Sequence, residues 1–314
     1  MKLTVASSPH IRGDFKSSRI MGDVMLALTP ALIVGIWMHG LRSLFVTLTA
    51  IVSCLGLEWL YAKVTKTRNT IVDGSAMVTG MLLAMTLPAT VPYWLVIAGS
   101  AFAIIFVKAL CGGLGQNVFN PALSARGFMM LIAPKYMVRF LSVDGVTEAT
   151  PLHHMVMPAL PEESILDMVL GICPGSIGEL SALALILGGV YLVARKVISP
   201  RIPLAYIGTV AVLTLIFHKT DDALSWMLYS LFSGGLMLGA IFMATDYVTS
   251  PITKLGQVVY GIGCGVLTVV IRYFGGYPEG VSYAILIMNC CVVLLDRIGR
   301  PKKFGSMKKE VAAK

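Results

Sequence analysis

Apolar runs of roughly 15 to 20 residues recur along this chain, and each is about what an α-helix needs to cross ~30 Å of hydrocarbon at 1.5 Å per residue. Hydrocarbon offers no partner for an unpaired backbone amide or carbonyl, so runs of this kind fold as helices. A closed barrel would require alternating polarity, which the runs lack. With 56% hydrophobic and only 13% charged residues among 314, the chain is far from the composition of a soluble domain. The expectation is an all-α integral membrane protein of about ten transmembrane helices. They are placed at 24–38, 44–62, 74–87, 91–110, 121–137, 177–193, 202–217, 224–243, 258–273 and 281–295.

Residues 1–18 are polar and basic, so insertion is expected to start from the first helix and not from a cleaved leader. The net charge of +9 does not point to nucleic acid, because the basic residues sit in short loops beside helix ends. Threading ten spans from a cytoplasmic N-terminus puts 19 of the 25 lysines and arginines inside and five (Arg42, Lys135, Arg139, Lys219, Arg272) outside, with Arg126 within a span. That bias predicts both termini on the cytoplasmic side of the cell membrane. The six cysteines show no metal-ligand spacing and read as packing residues, so no metal site is expected.

One long connection, 136–176, carries Asp144, Glu148, Glu162, Glu163 and Asp167 and falls on the outer side. A loop of that length without helical pattern is uncommon unless functional. It divides the chain into a five-helix unit at 1–135, the loop itself, a second five-helix unit at 177–297 and a basic cytoplasmic tail at 298–314. Five spans per half force the second half to enter the membrane the other way up, the arithmetic of an inverted repeat. A weak internal match supports it, Gly80-Met-Leu-Leu-Ala-Met-Thr86 against Gly239-Ala-Ile-Phe-Met-Ala-Thr245, each followed by a Pro-containing break.

Charge within a span costs at least ~2.5 to 3.5 kcal/mol at the bilayer centre and therefore marks a partner or a wet cavity. Glu58 is the most interior acid. Asp73 and Asp246 flank the two broken spans, where carboxylates beside unwound carbonyls suit Na⁺ or a proton relay. Asp73 is equally suited to capping the third helix. Asn117-Val-Phe-Asn120-Pro121 begins the fifth span, where the amides either hydrogen-bond the edge of a planar ring or cap the helix. Arg126, farther in, pairs with Glu58 or with an anionic ligand. The segment Asp144-Gly-Val-Thr147-Glu148-Ala149-Thr150-Pro151-Leu152 reads as a turn followed by extended chain, since a residue before proline is pushed out of the α region. No residue constellation of hydrolytic or P-loop type is present, and no catalytic residue is expected.

Ser7-Ser8-Pro9-His10 to Arg19, Asp73-Gly74-Ser75 with Thr79-Gly80 and Leu87-Pro88, Asn120-Pro121-Ala122 and the 144–152 loop together resemble the NqrB/RnfD family, in order and over essentially the whole chain. The modest length and short N-terminal arm are more like its RnfD branch, the D subunits of Rnf ion-translocating ferredoxin:NAD⁺ oxidoreductases. The B subunits of Na⁺-pumping NADH:quinone reductases are longer. The resemblance implies an electron-transfer subunit of a multi-subunit redox complex, driving Na⁺ or H⁺ translocation. It also implies covalent FMN, placed by a flavin transferase on a threonine of an Asp-x-x-Ser/Thr-Gly-Ala-Ser/Thr motif. Asp144, Thr147, Ala149 and Thr150 match, with Thr150 as the attachment residue, and Glu148 stands where the motif has Gly. A second flavin, riboflavin, is implied between helices without covalent linkage; Asn120 and Asp246 are its candidates by position, and Glu58 and Asp73 are the candidates for an ion path. A non-redox secondary transporter with inverted repeats remains the alternative from another class.

Overall fold

The computed structural model describes residues 17–67, 70–113, 115–141, 147–148, 152, 161, 164–275 and 279–299. All ten predicted apolar stretches contain helix. The first half comprises α1 (Ser17–His39), α2 (Leu41–Thr65), α3 (Ser75–Met85), α4 (Tyr93–Ala101) and α5 (Pro121–Ile132). A π-helical stretch, Phe102–Ala109, continues α4 without a break. After the short α6 (Pro134–Met137), a two-residue antiparallel pairing joins β1 (Phe140–Leu141) to β2 (Thr147–Glu148). Next come α7 (Ile165–Leu170), α8 (Ala182–Ala194), α9 (Arg201–Ile216), α10 (Ala223–Phe232) and α11 (Leu236–Leu238), which runs on as a π-helix over Gly239–Met243. The last two are α12 (Lys254–Phe274) and α13 (Val281–Leu295).

By length and apolarity α1, α2 and α12 each suffice to cross a bilayer, and α10 with α11 forms a bent pair that passes the same test. Six further apolar helices are shorter. Large apolar side chains on the outside, such as Trp37 (83% exposed) and Phe274 (86%), are tolerable only against lipid or another protein. The chain is a helical membrane protein.

Local chemistry fixes the helix ends. Gly40 turns α1 into α2 at φ 71°, a conformation that glycine adopts without a Cβ penalty. Asn120 caps α5, with Pro121 in the first turn where its missing N–H costs nothing. Asp222 caps α10 from an exposed position; the Ser225 hydroxyl and the Ser225 and Leu224 amides hold its carboxyl below the usual range. The cap therefore contributes stability above that lowered pKa and loses it as pH falls through it.

Three sequence expectations are corrected here. The stretch 121–137 is not one helix: Pro134 cannot continue the ladder and forces its predecessor out of the α region, so Ala133 breaks it. The stretch 224–243 is broken at Ser233-Gly234-Gly235 and bends by 62°. The 136–176 connection is not free of helix, since Ser164 and Asp167 form a reciprocal capping box that starts α7. Lys108 and Arg272, counted with the loops, are likewise turned inward, at 4% and 7% exposure.

One core runs through both halves, from Leu28 and Ala50 through Leu83 and Met85 to Leu185 and Ile285. Contacts within the halves match: α2 touches α3 and α4, as α9 touches α10 and α12, and α4 packs on α5 as α12 does on α13. Across the halves α1 meets α8 and α5 meets α13. A Cβ at Gly188 would strike the backbone of Ala27, which is how closely α1 and α8 approach. The glycines of the internal match have different neighbours, Gly80 lying on the α2 backbone at Ala50 and Ile51, and Gly239 on Val281 of α13.

Candidate functional site

A cavity of about 110 Å³ opens between the halves at the end of the bundle where α1 begins. Its apolar walls include Met21 and Val24 of α1, Leu82 of α3 and Phe242. Its polar groups are Thr79, Lys108, Asn117, Asn120 and Asp246. Two candidates named from sequence position, Asn120 and Asp246, thus line one space. An apolar slot with a few convergent polar groups is the usual make-up of a cofactor site.

Asn120 does more than border it. Its Oδ1 accepts from the amides of Ala122 (3.1 Å) and Leu123 (3.3 Å), and its Nδ2 donates to the Met243 carbonyl at 3.3 Å. The capping alternative is therefore realised, and the same amide ties α5 to the end of the π-helix in the other half. Asn289 of α13 meets the Tyr260 hydroxyl at 2.7 Å. In the amide orientation that satisfies both its ends, it also accepts from the Asn120 backbone amide at 3.2 Å and donates to the Thr249 carbonyl. Asp246 is half-buried and accepts from the Thr249 hydroxyl at 3.1 Å. Asn117, passed over as a site residue, lines the cavity while its amide donates to the Phe119 carbonyl. The signal was present in the sequence as the first asparagine of Asn-Val-Phe-Asn-Pro.

Glu58 lies behind the wall. Lys108 Nζ reaches Glu58 Oε1 and the Ser75 hydroxyl, both at 2.7 Å, and the Thr70 hydroxyl donates to the same Oε1 at 2.5 Å. Glu58 Oε2 is buried and has no hydrogen-bond partner among the described residues. One oxygen is thus neutralised and the other is available, beside a lysine that borders the cavity. The expectation that Arg126 pairs with Glu58 is wrong: Arg126 pairs with Glu279, and Lys108 is the partner of Glu58. Sequence spacing gave no way to choose, because the π-helical turn that brings Lys108 inward has no motif.

Asp73 does not cap α3. It closes a 3-10 turn, Ile71–Asp73, and Gly74 at φ 75° takes the cap position without a side-chain bond. It is half-buried and is not among the cavity lining; Thr70, three residues earlier, is what reaches Glu58. Asp144, Ala149 and Thr150 lie outside the described residues, and Thr147 is described only as backbone in β2. Among the described residues all six cysteines are free, and no cluster of His, Cys, Asp and Glu could hold a metal ion.

A helical membrane protein with a polar-edged cavity between two halves and a buried, half-satisfied carboxylate behind it belongs with ion- and cofactor-handling membrane subunits. Residues 4–305 match the NQR2, RnfD, RnfE family, and the chain belongs to that family. It is 44% identical over 323 residues, covering 100% of this chain and 99% of the relative, to the D subunit of the Na⁺-translocating ferredoxin:NAD⁺ oxidoreductase complex of Acetobacterium woodii. The D subunit of the proton-translocating ferredoxin:NAD⁺ oxidoreductase complex of Clostridium ljungdahlii is 43% identical, with 96% of each chain covered. The D subunit of the ion-translocating oxidoreductase complex of Stutzerimonas stutzeri is 37% identical over 91% of this chain and 92% of its own.

Proposed function

We propose that this chain is the D subunit of an Rnf-type ferredoxin:NAD⁺ oxidoreductase complex, passing electrons through bound flavin while the complex exports Na⁺ or H⁺. The observation that carries this reading is the end-to-end match at 44% and 43% identity to D subunits of such complexes. Those two relatives are named for different ions at nearly the same identity, so ancestry does not choose between Na⁺ and H⁺. That every relative named above is one subunit of a redox complex favours this reading over a stand-alone solute transporter.

In this reading ten helices cross the cell membrane as two inverted repeats, with both termini in the cytoplasm and the 136–176 connection outside. The paired contact pattern of the halves, with α1 on α8 and α5 on α13, supports the repeat. The positive-inside bias supports the orientation. Thr150 carries FMN as a phosphoester, installed by a flavin transferase, with Asp144, Thr147 and Ala149 forming the rest of the attachment motif. The cavity beside Asn120 and Asp246 fits riboflavin: flat apolar walls suit a fused ring, and Asn117, Thr79 and Lys108 offer donors to a polar edge. The flavins supply reversible one- and two-electron chemistry, and the protein positions them and sets their electrostatics.

Glu58 is the group placed to answer a change of charge in that cavity. Its free Oε2 can accept a cation or proton while Lys108 holds Oε1. Moving one charge against ~100 mV costs ~2.3 kcal/mol, which an electron falling through a comparable redox span supplies. Reconstitution of the complex in vesicles tests the function: ferredoxin-driven NAD⁺ reduction should be accompanied by uptake of Na⁺ or H⁺ into the lumen, and both should vanish when this chain is deleted. Glu58→Gln and Asp73→Asn should each lower ion uptake while leaving the covalently bound flavin in place. Unaltered uptake by both variants would remove these acids from the path.

A further inference from the structure

The loop proposed to carry the flavin has one buried foothold among the described residues. Leu152 is 4% exposed and packs with Met168 of α7 and with Trp226 and Tyr229 of α10. Beneath it lies the break between α10 and α11. Gly234 there has φ +68°, and a Cβ built on it would sit 2.9 Å from Leu152 Cδ2. Only a residue without a side chain leaves room for the leucine and adopts that backbone without strain.

The break itself is held firmly. A helix that stops inside the protein leaves carbonyls without intrahelical donors. Arg272 of α12, itself buried, supplies them: Nη1 donates to the Ser230 carbonyl at 2.6 Å and Nη2 to the Ser233 carbonyl at 3.3 Å. Next to it Trp226 Nε1 donates to the Tyr273 hydroxyl at 2.7 Å, fixing the aromatic wall against which Leu152 rests. The leucine therefore meets a surface built from two helices and an arginine clamp.

Position 150 precedes Leu152 by two residues, and two trans peptide units span at most about 7 Å. Whatever is attached at Thr150 is leashed to this break within that radius. We propose that the Ser233-Gly234-Gly235 break is the docking seat of the flavin-bearing loop and that Leu152 is the positioning residue that holds Thr150 and its flavin against the bundle. The inference rests on flavin attachment at Thr150 and adds to it where the attached group is held.

The test uses the whole complex, purified after co-expression with the transferase, carrying Leu152→Ala, Leu152→Met or the native leucine. Attachment is read as flavin fluorescence of this chain on a denaturing gel. Positioning is read in the native complex as iodide quenching of the covalent flavin. All three proteins should show equal bands, because esterification needs only the hydroxyl and its motif. The quenching constant should rise about twofold in Leu152→Ala, since a side chain that no longer fills its pocket frees the local segment to open. Leu152→Met, of similar volume, should restore the native value. Should Leu152→Ala fail to accumulate, Leu152→Val gives the same comparison at smaller amplitude. An intact band with native quenching in the truncated variant overturns the seat alone. A dark band in the native protein overturns attachment, and the seat falls with it for that separate reason.

Discussion

Thr150→Ala should abolish the ultraviolet-excited fluorescence of the 33.7 kDa band on a denaturing gel, leaving the amount of protein in the membrane unchanged. A phosphoester survives denaturation because it is covalent, and it can form only on a hydroxyl oxygen. Alanine removes the nucleophilic atom and alters little else. Thr147 is a poor substitute: β2 pairs its backbone with Leu141, whereas position 150, just before Pro151, is held extended. Thr150→Ser should keep the band, since the oxygen is retained. Persistence of full fluorescence in Thr150→Ala would move the attachment elsewhere, and a dark native band would remove covalent flavin altogether. Electron transfer through the complex should fall with the band, which separates loss of cofactor from loss of fold.

Arg126→Leu should be among the most damaging single changes outside the attachment loop. Arg126 is 8% exposed and forms an ion pair with Glu279, and Glu179 stands close enough to interact with it. Glu179 Oε2 and Glu279 Oε1 are both buried without hydrogen-bond partners among the described residues. A space of about 10 Å³, lined by Thr86, Arg126, Gly235, Glu279 and Ser282, separates these groups. Removing the guanidinium of that lining strands two carboxylates in a dry interior. Breaking a buried pair in this way costs about 3 to 5 kcal/mol, enough to deplete the folded protein in the membrane severalfold. Combining Arg126→Leu with Glu279→Gln should recover part of the loss, because the second change discharges the stranded acid. Native yield and melting temperature in the single variant would contradict the pairing.

Much of the architecture can be read from apolar length alone, because in hydrocarbon the helix is the only way to pair a backbone within one segment. The breaks were harder. Pro134 and Gly234-Gly235 are visible in the sequence, yet a hydropathy window smooths over both, and whether Gly-Gly bends a helix depends on what lies against it. Here that is Arg272, whose donors make the exposed carbonyls tolerable. The candidate site was legible in part. Asn120 and Asp246 border the same cavity, as position implied, but the helix cap and the cross-link to Met243 account for the Asn120 amide. Glu58 was recognisable as a costly interior acid, whereas its partner Lys108 was counted as a loop cation, since no pattern announces a π-helical turn. Glu179 and Glu279 sit just ahead of α8 and α13, where a sequence reading assigns acids to water.

The last carbonyls of α3 are not finished by their own half. Ile177 donates its amide to the Leu87 carbonyl at 3.0 Å and Gly178 to that of Met85 at 2.9 Å. A lone five-helix ancestor would have left those two oxygens facing lipid, at several kcal/mol each. Such a polypeptide would have been stable only as an antiparallel homodimer, so fusion of two copies into one gene preserved a partnership that the backbone already demanded.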